Sequence, residues 1–227
     1  MRYFPLGDAA IVVEFDSVIG PASNEKVQLL AAYLDHHPIV GMIEYVPAFT
    51  TVTVFYNPFL IRYADAQARL EVAVQQAEGI QLEQTTRLVQ IPVCYGGDFG
   101  PDLEEVARHN QLTADEVIRI HSSAEYQVYM IGFAPGFPYL GGMSERIAAP
   151  RRSSPRLIIP AGSVGIAGLQ TGVYPIGTPG GWQLIGRTPE PLFRPDMSPP
   201  TLLQAGDKVR FQPITEKEYE SWEGLEA

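Results

Sequence analysis

Three arginines, Arg151, Arg152 and Arg156, sit in the stretch "APRRSSPR", where prolines restrict the backbone. Guanidinium groups on stiff backbone suit bidentate binding of a carboxylate or phosphate. The competing reading is a solvated loop, or pairing with acids of another chain. Upstream, His121 ends "EVIRIHSS" and leads into the strand-like run before "GFAPGFPYLGG". An imidazole there can act as a general base or hold a substrate by a hydrogen bond. It can equally cap its helix through the backbone, and spacing does not separate the two. In "GFAPGFPYLGG", Pro135 and Pro138 stiffen a segment that carries Phe133, Phe137 and Tyr139 around Gly136. Rings fixed in this way lose little entropy on binding. Downstream, "YPIGTPGGWQLIG" sets Gly180 and Gly181, which permit close approach by a ligand or another backbone, beside the flat face of Trp182. A hairpin turn with a core tryptophan is the plainer reading of that spacing.

These residues share one zone of the chain. From Tyr129 to Glu190 there are five arginines against two acids, Glu145 and Glu190, and 12 of the 21 glycines. The whole chain of 227 residues is acidic, with a net charge of −10. Nucleic-acid binding calls for a basic stripe and is not expected. No apolar run approaches the roughly 20 residues that cross a bilayer, so no membrane partner is expected either. The N-terminal "MRYFPLGDAAIVVEF" alternates like a strand and lacks the cleavage site of a signal peptide. A single cysteine, Cys94, excludes an internal disulfide and fits a reducing, cytoplasmic setting. Within an apolar strand and without an evident base, its thiol reads as inert. P-loop, H-E-x-x-H and G-x-S-x-G signatures are absent, and "GSVGIAG" misses the dinucleotide fingerprint. No metal or bound cofactor is therefore expected in this chain. His36 and His37 at a helix end suit the helix dipole, and His109 on a charged helix reads as solvated.

The elements that position these residues alternate at first and then become strands. "AAIVVEF" is a short apolar strand. In "NEKVQLLAAYLDHH", Val27, Leu30, Ala31 and Leu34 recur at helical spacing, with Pro21 and Ser23 as start signals and Pro38 as the stop. "GMIEYVP" and "TTVTVFYN" follow as strands, and "ADAQARLEVAVQQAEG" as a second amphipathic helix ended by Gly79. With "RLVQIPVCY" as a further strand, the order β-α-β-β-α-β predicts a small ferredoxin-like α/β domain over residues 1–85. Alternatively, "LVQIPVCY" opens the next domain. The polar stretch "EGIQLEQTTR" marks the boundary. Two short helices come next, with Pro101 in one first turn and a Thr113–Glu116 capping box at the other. Their acids, Glu104, Glu105, Asp115 and Glu116, argue against a DNA-binding helix pair. From Tyr126 onward, short strands broken by Gly and Pro give the pattern of a β-barrel or sandwich over residues 86–227.

"GFAPGFPYLGG", "PRRSSPRLIIPAGSVGIAG", "QTGVYPIGTPGGWQLIGRT" and "LLQAGDKVRF" occur here in one order. Together they closely resemble the family named after allophanate hydrolase subunit 1, whose members include the kinase inhibitor KipI and the B component of 5-oxoprolinase. The likeness runs from "IPVCYGGDFGPDLEEVA" through "GDKVRFQPI", and more loosely over the first 85 residues. It implies an α+β chain, a small α/β domain followed by a cyclophilin-like β-barrel. It also implies two companion polypeptides. One, the C component, resembles the other half of a carboxyltransferase domain, and the other is the A component. Such a complex opens 5-oxoproline to glutamate with hydrolysis of ATP, with magnesium at the level of the complex and no activity in this chain alone. In that setting Arg152 and Arg156 would neutralise phosphate or the substrate carboxylate, and His121 would move a proton or hold substrate. The aromatic run, Arg151, Gln170, Tyr174 and the Gly180–Gly181–Trp182 wall would line the site or dock the companion. Two other activities occur within the likeness. One is a KipI-like inhibitor that docks its aromatic loop on a sensor histidine kinase. The other is a carboxyltransferase component for urea or a similar amide, with biotin arriving on another polypeptide because no M-K-M motif is present.

Overall fold

The computed structural model describes residues 1–79 and 87–223. The chain forms two compact units, Met1–Thr85 and Thr86–Ala227. The polar boundary stretch falls largely on residues 80–86, outside the described residues.

In the first unit the elements run β1 (Arg2–Pro5), β2 (Ala10–Glu14), α1 (Pro21–His36), β3 (Met42–Pro47), β4 (Thr51–Tyr56) and α2 (Tyr63–Ala77). The strands form one antiparallel sheet in the order β1-β2-β4-β3. Strand residues alternate between faces, so Val52, Val54 and Tyr56 of β4 are buried on one side. Val27, Leu30 and Leu34 of α1 and Ala66, Leu70, Ala73 and Val74 of α2 meet them in a single core. The sheet is ferredoxin-like, with one correction to the expected element order. Its fourth strand comes from the N-terminus, β1, and not from "RLVQIPVCY". The residues of β1 are mostly exposed and include a proline, so no apolar alternation marks them.

The stretch "LVQIPVCY" is β5 (Leu88–Tyr95) and opens the second unit. There follow α3 (Leu103–His109), α4 (Ala114–Ser123), β6 (Tyr126–Ile131), β7 (Pro138–Gly141), β8 (Arg156–Ile159), β9 (Ser163–Ala167), β10 (Gln170–Val173), β11 (Thr178–Gly180), β12 (Gln183–Arg187), β13 (Lys208–Pro213) and α5 (Glu216–Glu220). Seven strands close into a barrel in the order β10-β7-β6-β13-β5-β12-β9, as the run of broken strands predicts. The last strand lies parallel to the first of the unit, from Lys208 beside Leu88 to Pro213 beside Val93. Ile91, Val93, Val128, Val164, Ile166, Val173, Ile185, Val209 and Phe211 fill the interior. The predicted capping box starts α4: Glu116 N–H donates to Thr113 Oγ1 at 3.2 Å, and Thr113 N–H donates to Glu116 Oε2 at 2.9 Å. Strands β8 and β11 pair separately, as a two-stranded ribbon outside the barrel sheet.

The turn before α3 presses directly on β12. Gly96 N–H donates to Ile185 O at 3.1 Å and Asp102 N–H to Leu184 O at 2.8 Å. A Cβ on Gly100 would stand 2.0 Å from Ile185 O. The obstacle is backbone, which cannot rotate aside. Replacing Gly100 by Ala should lower stability by about 1–3 kcal/mol, read as a shifted urea midpoint of tryptophan fluorescence. An unchanged midpoint would mean that the turn does not press on β12.

Candidate functional site

Asp102 is the residue on which the site is built. It precedes α3 and is only 5% exposed. Leu184 N–H donates to its Oδ2 at 2.7 Å. Arg152 Nη1 and Arg156 Nη2 both donate to its Oδ1, at 2.9 and 2.8 Å. A carboxylate taken out of water needs such donors, and charged ones are the strongest. The backbone fixes each arginine in turn. Arg152 N–H donates to Gly181 O at 2.8 Å, and Arg156 is paired with Gly180 across β8 and β11. Two guanidiniums on one carboxylate leave a net positive charge at this corner. Arg152 Nε and Arg156 Nη1 have no hydrogen-bond partner among the described residues. The two side chains keep 37% and 23% of their surface open to solvent. Those two nitrogens are themselves buried, while other parts of the two side chains are open to solvent.

The aromatic run folds back beside this corner. Gly132 N–H donates to Phe137 O at 3.1 Å and Phe137 N–H to Ala134 O at 3.0 Å, closing a tight loop. Phe137 is buried, with the rings of Phe133, Tyr139, Tyr174 and Trp182 at centroid distances of 5.5, 5.0, 5.4 and 5.6 Å. All four stand edge to face, the arrangement that ring quadrupoles favour. Gly172 makes room for this cluster, since a Cβ there would lie 3.0 Å from Phe137 Cζ and 3.2 Å from Trp182 Cζ3. Phe133 occupies the left-handed region at φ +68° and turns its ring outward, 67% exposed. Burial pushes the Tyr174 hydroxyl up to about 12, while Arg151 and Arg156 pull it the other way. Burial likewise raises Tyr139 against the pull of Arg151. The positive charge of Arg151 thus reaches both hydroxyls, and that of Arg156 reaches Tyr174.

Most of the residues singled out in the sequence converge here, with changed roles for several. Trp182, which the family likeness implies as a wall of the site, is 6% exposed and belongs to the interior of the ring cluster, in line with the plainer reading of its spacing as a core tryptophan. Gly180 serves packing, because a Cβ would lie 2.6 Å from Ile159 Cδ1 and from Tyr174 Oη. Gly181 is roomier, with its nearest neighbour at 3.7 Å, the side chain of Pro155. Pro135 is exposed at the loop tip. Gly136 takes φ +81° and passes close to Leu192, whose carbonyl oxygen would be 3.1 Å from a Cβ. Gln170 is half-buried at the start of β10, opposite Ala167. Sequence reasoning missed Asp102. An acid after Pro101 reads as a helix start, and nothing local links it to arginines 50 and 54 residues away.

His121 is the clear correction. It is fully buried near the end of α4. Its Nε2 lies 2.9 Å from Thr171 Oγ1 and its Nδ1 2.8 Å from Tyr95 Oη. The Thr171 hydroxyl donates to Gly165 O at 3.0 Å, so it accepts from the histidine. Nε2 therefore carries the proton, and Nδ1 accepts from the Tyr95 hydroxyl. The ring stacks on Phe211 at 4.5 Å. A general base needs a lone pair facing its substrate. Here the lone pair is used inside the fold and no face meets solvent, so the imidazole joins α4 to the barrel wall. Cys94 is buried too, and burial raises its thiol, consistent with an inert core residue.

The small α/β unit, the closed barrel and its arginine corner belong to a carboxyltransferase architecture. The family model described as carboxyltransferase domain, subdomain C and D matches residues 1–203, and the chain belongs to that family. Among curated proteins it is similar to the B component of 5-oxoprolinase from Bacillus subtilis, 56% identical over 96% of this chain and 94% of the relative. It is similar also to the corresponding 5-oxoprolinase component of Escherichia coli O157:H7, 46% identical over 95% of this chain and 97% of the relative. Among solved structures, a conserved uncharacterized protein from Pyrococcus horikoshii is 44% identical, with a TM-score of 0.58 over 96% of this chain and 100% of that one. The solved protein TTHA0988 is 34% identical with a TM-score of 0.78, over 90% of this chain and 40% of that longer one.

Burial pushes the His121 imidazole down from 6.5 to about 3. The unfolded chain binds this proton below about pH 6.5 and the folded chain only below about 3, so acid favours unfolding between those limits. Stability should fall there by up to about 1.4 kcal/mol per pH unit on this account. Urea titrations of the wild type and His121→Gln at pH 7, 6, 5 and 4 check it. The variant should show the shallower dependence, and parallel curves would contradict the assignment.

Proposed function

We propose that this chain is the B component of an ATP-dependent 5-oxoprolinase, acting in the cytoplasm with companion A and C components to open 5-oxo-L-proline to L-glutamate. The observation that carries the reading is the corner where Arg152 and Arg156 share Asp102 beside the aromatic loop. Relatives at 56% and 46% identity that bear the 5-oxoprolinase name support it. The substrate is a small lactam with one carboxylate. A single negative charge matches the residual positive charge of two guanidiniums on one acid, and a planar carboxylate suits the partly exposed guanidinium side chains. Phe133 presents the exposed apolar face against which the ring of the lactam rests.

Opening an unactivated five-membered lactam demands departure of a poor leaving group, the ring nitrogen. Phosphorylation of the amide oxygen by ATP releases ADP and polarises the carbonyl carbon; water adds there, the carbon–nitrogen bond breaks with the ring nitrogen taking up a proton, and a second water hydrolyses the resulting acyl phosphate to carboxylate and phosphate. The residues of this chain bind and orient: the arginines hold the carboxylate, and the buried rings keep water from the floor of the corner. ATP and its magnesium belong to the complex as a whole. The groups facing this corner are arginines and aromatic rings, which suit an anion, whereas magnesium takes oxygen ligands. Among the described residues no group of three or more His, Cys, Asp or Glu could hold a metal ion. The urea-directed and kinase-inhibiting alternatives draw on less; a urea amidolyase of Saccharomyces cerevisiae is 20% identical over 249 residues.

Mixing the purified chain with the A and C components should give release of glutamate and phosphate that requires both ATP and 5-oxoproline. The chain alone should turn over neither. An assembled three-component complex that consumes neither substrate would overturn the proposal.

A further inference from the structure

The ribbon of β8 and β11 carries a feature that the proposed chemistry does not use. Two strands alone are marginal in water, and this pair is rooted at each end of β8. Arg156 is tied to Asp102, and Ile159 is fully buried among Phe137, Tyr174 and Trp182. Between these roots Leu157 and Ile158 are 88% and 75% exposed. Successive residues of a strand point to opposite faces, so both faces of the ribbon offer a bare aliphatic side chain. Pro179 lies on β11 and is exposed. It has no N–H to give to a further strand, so recognition from that side falls to side chains. The segment that carries the ribbon is basic, and the carboxylate at its root, Asp102, comes from outside that segment and is shared by two arginines. Between Arg146 and Pro189 the sequence holds no carboxylate, although the chain as a whole has a net charge of −10. Arg151 stands exposed near the root of the ribbon.

We propose that the β8–β11 ribbon is the docking element for a companion polypeptide of the complex, which covers Leu157 and Ile158 with an apolar groove rimmed by carboxylates. The inference rests on the three-component reading above and names the surface that the reading leaves open. The neighbour is a polypeptide and not a small ligand, because a ribbon with apolar side chains on both faces must be enclosed from two sides. In the 34% identical solved relative, the part similar to this chain makes up 40% of the polypeptide, so such a neighbour can be attached in the same chain.

The test compares wild type, Leu157→Asp, Ile158→Asp and Leu157→Lys, each as the full chain, for binding to the purified A and C components. The substituted side chains are solvent-exposed, so thermal midpoints of the isolated variants should match the wild type, and agreement there separates docking from folding. Either Asp variant should weaken binding to one companion by about 100-fold, the scale of an interface hot spot. Leu157→Lys should weaken it less, because a carboxylate rim tolerates a cation, and added salt should weaken wild-type binding. Wild-type affinity in both Asp variants would overturn the proposed surface while leaving the complex intact. Failure of the wild type to bind either companion would overturn the complex, and the docking element with it. Self-association of the isolated wild type that Leu157→Asp abolishes would make a second copy the occupant, and would also overturn the proposal.

Discussion

The second unit depends on one buried carboxylate. Asp102 accepts from Leu184, Arg152 and Arg156, contacts that lie 82, 50 and 54 residues along the chain. Burying a charge is costly, and a buried ion pair often adds little net stability beyond its own desolvation. Its effect here is to fix position. The start of α3, barrel strand β12, the proline-rich loop and the root of the ribbon all meet at two oxygen atoms. The arginines that would otherwise move in solvent are held with some donors satisfied and others left over. A preorganised, incompletely satisfied cation is what an anion-binding corner needs, because little ordering remains to be done when the ligand arrives.

The aromatic loop answers a second constraint, that of keeping rings rigid on irregular backbone. Phe137 is the hub, and the rings around it meet it edge to face. Glycine at 172 and 180 lets neighbouring backbone approach where any Cβ would collide with a ring or with Ile159. The cost is strain at Phe133, a non-glycine residue in the left-handed region. That strained residue is also the ring turned outward. Interior rings hold the loop, and the Phe133 ring is left open to solvent.

Much of this was legible in the sequence where the determining contacts are local. The spacing of Val27, Leu30, Ala31 and Leu34 marks α1, and the Thr113–Glu116 box marks the start of α4. Gly and Pro punctuation from Tyr126 onward marks the barrel strands. The glycine-rich motifs carry the family. What was not legible depends on distant partners. Strand β1 is short and exposed, so only its pairing with β2 reveals it. Strand β5 joins the barrel because β13 lies beside it at the far end of the unit. His121, which precedes the aromatic run, could be read as a base, a substrate contact or a helix cap, and only Thr171, Tyr95 and Phe211, which enclose it, decide against the first two. Asp102 was missed for the same reason, since a helix-start acid reveals nothing of the arginines folded onto it.

In the proposed complex, Arg152, oriented by Asp102, would receive the carboxylate of the substrate. The most direct test of this role is the steady-state kinetics of the three-component complex carrying Arg152→Gln, with 5-oxoproline varied at saturating ATP. Loss of a carboxylate contact should raise KM for 5-oxoproline about tenfold or more, equivalent to about 1.4 kcal/mol of binding. It should leave kcat nearly unchanged, since the contact is the same in ground state and transition state. An unchanged KM, or a fall in kcat alone, would contradict it.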